Sequence, residues 1–145
     1  EITHFKKMNV DGFVFGILNT DNSFDIERNK ELVTLASSFP CTFTRAFDVV
    51  SNVYESLELV IDCGFKAVLT SGRGENVITG IEVLQTFVEK ANGRIVVMPG
   101  GGLRSTNIEK LDQKVNATYY HSSAITDSSE ITNGEEIKKI KSFLR

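Results

Sequence analysis

The sequence contains no tryptophan and only two cysteines, two histidines and two prolines. Cys41 and Cys63 form no CxxC pair, which excludes a disulfide framework and points to a reducing compartment. No apolar run approaches the roughly 20 residues a membrane-spanning helix needs. No secretory leader opens the chain, and it begins with Glu1 rather than Met, which leaves room for a preceding segment. A net charge of -3 gives nucleic acid or an acidic membrane surface no electrostatic hold. The expectation is a soluble, cytoplasmic protein with neither kind of partner. The GxSxG, HExxH, Walker A and GxGxxG patterns are also missing, so hydrolase, zinc-protease, NTPase and dinucleotide-binding readings have no support.

What remains is an ordinary globular composition, 41% hydrophobic and 24% charged, enough over 145 residues for a single domain with a core. Short β-rich apolar runs alternate with longer segments of helical period. Ile2 to Met8 reads as the end of a helix, Phe13 to Phe15 as a strand, and Thr20 to Ser23 as a turn. Asp25 caps a helix with Leu32, Leu35 and Ala36 on one face, stopped by Pro40. Cys41 to Phe47 is the second strand, and Ser51 or Asn52 caps the next helix, which ends at Gly64 in a left-handed turn. Ala67 to Thr70 is the third strand, followed by a glycine-containing loop and a helix over Ile81 to Ala91. Ile95 to Met98 is the fourth strand; after it come Gly100-Gly101-Gly102 and a short helix capped by Ser105 or Thr106. Ala117 to Tyr120 is the fifth strand, positions 126–134 a flexible loop, and positions 135–144 a closing amphipathic helix.

The strand starts recur at the length of one strand–helix unit. Continuous apolar strands suit a parallel sheet buried on both faces. An open doubly wound sheet of about five strands and part of a (β/α)8 barrel both fit this pattern. A complete barrel needs at least about 200 residues, so length alone favours the open sheet.

Both architectures place function at the carboxyl ends of the strands. Those ends deliver Thr44, Arg45 and Asp48, then Thr70 and Ser71, then the glycine triplet, then His121, Ser122 and Ser123. Arg45 falls within an apolar run, so its guanidinium requires a carboxylate or an anionic ligand, and Asp48 is the nearest candidate. A structural ion pair satisfies the same requirement. Gly100, Gly101 and Gly102 would let backbone N–H groups approach a phosphate ahead of a helix N-terminus; a tight turn is the plainer reading. His121 could move protons or ligate a metal, or be an ordinary strand-end histidine. Cys41 and Cys63 are soft donors of the kind Cu(I) takes, but free cysteines are more often small core residues. Both lie at the amino ends of the strands, away from Arg45 and His121.

Read in order, Asp11-Gly12-Phe13-Val14-Phe15-Gly16, Thr42-Phe43-Thr44-Arg45-Ala46-Phe47-Asp48, Leu69-Thr70-Ser71-Gly72, Ile95-Val96-Val97-Met98-Pro99-Gly100-Gly101-Gly102 and Tyr120-His121-Ser122-Ser123-Ala124 resemble the CutC family. The resemblance covers residues 2–124 and implies a TIM barrel, here an incomplete one of about five parallel strands, the fourth to the eighth. It thereby decides against the open sheet. An incomplete barrel exposes strand edges, so self-association or the remaining barrel units are expected to complete it. The resemblance further implies copper homeostasis, with copper as the bound ion. It also implies a mouth pocket of Thr44, Arg45, Asp48, Ser71, Gly100, Gly101, Gly102, His121 and Ser123. Thr44 stands where the family has histidine, and a hydroxyl is a poor copper ligand. The family's earlier strands carry further pocket residues, among them a cysteine, that this sequence does not contain. Cys41, Cys63 and His121 are the metal-ligand candidates. The alternative function is a TIM-barrel enzyme, or the remnant of one, that holds a small phosphorylated or anionic substrate at the mouth.

Overall fold

The computed structural model describes residues 1–144. A short helix α1 (Ile2–Phe5) runs into a 3-10 turn and leads to strand β1 (Phe13–Phe15). There follow α2 (Ile26–Leu35), β2 (Cys41–Phe43), α3 (Val53–Asp62), β3 (Ala67–Thr70), α4 (Ile81–Ala91), β4 (Val96–Pro99), α5 (Ile108–Val115) and α6 (Gly134–Phe143). The helix ends obey local chemistry. Asp25 caps α2 by accepting from Arg28 N at 2.8 Å, and Asn52 caps α3. Gly64 follows α3 at φ 94°, where a Cβ would be strained.

The four strands are all parallel and lie in the order β1-β2-β3-β4. Phe13 pairs with Cys41, Thr42 with Ala67, and Thr70 with Pro99. A doubly wound sheet reverses its strand order at a switch point, whereas a barrel adds each strand beside the last. The order seen here is the barrel's. Without tryptophan, the core is built on phenylalanine: Phe43, Phe47, Phe65 and Phe87 are at most 2% exposed. The Phe43 and Phe65 rings meet edge to face at 5.3 Å, as do Phe47 and Phe87 at 5.4 Å. Burying each such side chain contributes about 1.5–3 kcal/mol.

Several expected elements take a different form. The second strand stops at Phe43 rather than Phe47, because Thr44 turns to accept from Ala46 N and caps a 3-10 helix over Arg45–Val49. Arg45 is therefore not buried in a strand; its side chain is 44% exposed. The fifth strand contracts to one parallel bridge between Gly100 and His121. Its predicted residues fold back on themselves instead, Ala117 N donating to Tyr120 Oη at 3.0 Å and Tyr120 Oη to Asp112 at 2.7 Å. Burial of the β strands is not uniform, since Val14 on β1 is 65% exposed. The short helix after the triplet begins after Asn107; Ser105 does not cap it but donates to Glu136 of α6. Positions 126–133 carry neither helix nor strand, and Asn133 caps α6.

Candidate functional site

The carboxyl ends of β2 and β3 converge on one carboxylate. Asp48 Oδ2 accepts from Arg45 Nε at 2.8 Å and from Ser71 N at 3.2 Å. Oδ1 accepts from Thr70 Oγ1 at 2.5 Å, Ser71 N at 3.0 Å and Arg73 N at 3.3 Å. Thr70 and Ser71 are fully buried. The Ser71 hydroxyl has one hydrogen and two acceptors in reach, Gly74 O at 2.7 Å and Asp48 Oδ2 at 3.1 Å. It accepts in turn from Arg45 Nη2 at 3.0 Å. The predicted partnership of Arg45 with Asp48 is thus present, at the strand ends rather than within the sheet. Charge-assisted bonds of this kind hold a guanidinium in one orientation. Two of its nitrogens are committed; Arg45 Nη1 meets no acceptor among the described residues.

The glycine triplet divides its work. Gly100 N donates to Thr70 O at 2.9 Å and so extends the sheet rather than serving a ligand. Gly101 packs on Arg45: a Cβ there would lie 3.0 Å from Nη1 and 3.2 Å from Ser71 Cβ. The backbone at Gly101 and Gly102 takes φ of 118° and 69°, which favours glycine. Their N–H groups find no acceptor among the described residues. His121 is exposed and backs onto Gly100, its N–H donating to Pro99 O. Ser122 Oγ is committed to Leu103 O at 2.7 Å, and Ser123 Oγ accepts from Arg104 Nη2 at 3.4 Å. Arg104, absent from the sequence-derived pocket, pins this segment by donating to Ile125 O at 2.6 Å as well. The signal that could have marked Arg73 and Arg104 is their position: arginines in strand-end loops of an acidic chain.

The cysteines stand apart from this mouth. Cys41 opens β2 and Cys63 follows α3; they are 2% and 8% exposed and belong to the hydrophobic core. Their thiols face different backbone carbonyls, Phe39 O at 3.7 Å and Ile26 O at 3.9 Å. Burial pushes both thiols up from their ordinary range, which favours the protonated form over the thiolate a metal requires. Among the described residues no group of three or more His, Cys, Asp or Glu side chains is placed to hold a metal ion. Cys41, Cys63 and His121 are therefore not brought together as one three-donor set among the described residues.

Comparison with known proteins places this architecture. The chain is 40% identical over 119 residues to the human "Copper homeostasis protein cutC homolog", covering 82% of this chain and 44% of the relative. The mouse homolog of the same description gives the same figures. A CutC family protein of Bacteroides fragilis is 35% identical over 138 residues, covering 95% of this chain and 54% of its own. The chain spans about half the length of the curated relatives it matches. Among solved structures, the putative copper homeostasis protein CutC of Streptococcus agalactiae superposes with a TM-score of 0.78 at 31% identity, covering 83% of this chain and 59% of that one. The aldolase QR15 shares the fold at 23% identity and a TM-score of 0.56. The fold is that of a partial α/β barrel, as its strand order already indicated. The CutC family model matches residues 1–126, and the chain belongs to the CutC family.

Proposed function

We propose that this chain serves copper homeostasis in the cytoplasm as part of a CutC-type barrel. The observation that carries the reading is family membership across residues 1–126 together with the copper homeostasis roles named for its human and mouse relatives. Copper is then the cargo of the complete barrel, bound with residues beyond those of this chain. The chain's own contribution is the polar mouth built on Arg45, Asp48 and Ser71 rather than a thiol centre at Cys41 and Cys63. Self-association or the remaining barrel units would cover the free edge at β1. The test is copper tolerance of cells lacking the protein. Loss should alter tolerance, and wild type and the Cys41→Ala/Cys63→Ala variant should both restore it. Unchanged copper tolerance on loss would refute the role.

A second reading is favoured by Arg45 itself, which is held by two hydrogen bonds while its Nη1 meets no acceptor among the described residues. Such a group suits a small anionic or phosphorylated ligand at the mouth. His121 and Asp48 are the only mouth side chains of acid–base type that the sequence singled out. Asp48 already accepts several hydrogen bonds on its two oxygens, which leaves His121 as the freer of the two.

A further inference from the structure

We propose that Arg45 Nη1 and the N–H groups of Gly101 and Gly102 form a clamp for the oxygens of a phosphate group. This rests on the anionic-ligand reading of the mouth and assigns it a place: across the ends of β2 and β4, beside Ser71 just after β3.

Three independent features converge there. The guanidinium is pre-positioned, with Nε on Asp48 at 2.8 Å and Nη2 on Ser71 Oγ at 3.0 Å, so a ligand need not order it. Glycine at 101 lets the backbone lie directly against it. A Cβ would stand 3.0 Å from Nη1 and 3.1 Å from Cζ. Uncommitted donors are close together: Arg45 Nη1 and two successive backbone N–H groups, none with an acceptor among the described residues. Arg45 and Gly102 are exposed and Gly101 half-buried, so an oxyanion can reach these donors from solvent and engage them together.

The local charge agrees. The whole chain carries -3, yet the loops after β2, β3 and β4 carry Arg45, Arg73 and Arg104, which balance Asp48, Glu75 and the Glu136 carboxylate held on Ser105. Asp48 and Arg45 form an ion pair at 2.8 Å, so their charges largely offset each other and the clamp draws on directed hydrogen bonds. A free phosphate and a phosphate monoester present the same oxygens.

The test is calorimetric titration of the chain with inorganic phosphate, and in a second arm with glycerol phosphate. Wild type should bind, and Arg45→Gln should weaken binding roughly tenfold to a hundredfold, the loss of one charged hydrogen-bonding group. Arg45→Lys keeps the charge but not the fork anchored on Asp48 and Ser71, and should also weaken binding; it carries the test should Arg45→Gln fail to melt cooperatively. Arg28→Gln, on α2 and paired with Asp25, should bind as wild type does. Tighter binding of glycerol phosphate identifies a monoester ligand, and equal or weaker binding identifies free phosphate; either supports the clamp. Phosphate binding unchanged in both Arg45 variants overturns the clamp while leaving an anionic ligand elsewhere at the mouth. No binding of either probe by folded wild type overturns the clamp and the anionic reading together.

Discussion

Thr70 donates its hydroxyl to Asp48 Oδ1 at 2.5 Å across 22 positions of sequence. That contact fastens the end of β3 to the turn that follows β2. The same carboxylate receives the Ser71 N–H and the Arg45 guanidinium, so one side chain fixes the geometry of the mouth. Asp48→Ala would leave buried Thr70 and Ser71 donors without their acceptor. It should destabilise the chain by about 2–4 kcal/mol. Asp48→Asn keeps one carbonyl acceptor and should cost about half as much. Urea unfolding with an unchanged m-value would measure both; an Asp48→Ala midpoint equal to wild type would show that the network contributes nothing.

Glu136 ties the last helix to the loop after the glycine triplet. Its carboxylate accepts from Ser105 N at 2.6 Å and Ser105 Oγ at 2.8 Å. These bonds, the backbone one first, hold its pKa below the ordinary 4.5. A folded-state pKa below the unfolded one means that the stabilisation is fully present above about pH 4.5. It is lost as pH falls through the folded value. Stability followed down from pH 6 should therefore decline more steeply in wild type than in Glu136→Gln. Parallel pH profiles would remove Glu136 from the acid response.

The crossing of the loop after β3 depends on a glycine. A Cβ on Gly80 would run into the Ser71 backbone carbonyl, which cannot swing aside as a side chain can. Gly80→Ala should cost about 3 kcal/mol or more. Gly134, the first residue of α6, has nothing within 4 Å of its Cβ position, and Gly134→Ala should gain about 0.5 kcal/mol. Melting midpoints moving in opposite directions would bear this out; a tolerated Gly80→Ala would contradict the packing.

How much of this was legible beforehand follows from how local each signal is. The N-cap at Asp25, the glycine turn at Gly64 and the apolar runs of β1, β3 and β4 are short-range features, and the structure places them as expected. The end of β2 was misplaced because Thr42 to Phe47 reads as one β-rich run; only the capping by Thr44 ends it. The fifth strand was overextended for a similar reason, since the Tyr120–Asp112 bond that folds it back joins residues on separate elements. Ser105 looked like a helix cap, but its partner Glu136 lies 31 positions away. At the mouth, Arg45 with Asp48 was readable from spacing. The free edge of Arg45 against Gly101, and the commitment of Ser122 to Leu103, required the fold.

The thiols offer a direct test of burial. Cys41 and Cys63 should react slowly with a thiol-specific reagent in the native state and rapidly in denaturant, because both are buried and favour the protonated form. Rapid modification of either in native buffer would contradict their placement in the core.

The most direct measurement of the central claim is a thermal unfolding scan of the chain with Cu(I) under reducing conditions, and separately with phosphate. A ligand that binds the folded state raises the midpoint. If the mouth is the working site of this chain, phosphate raises the midpoint in wild type and not in Arg45→Gln, while Cu(I) leaves it unchanged. A rise with Cu(I) that disappears in the Cys41→Ala/Cys63→Ala variant would contradict the account and move the site to the thiols.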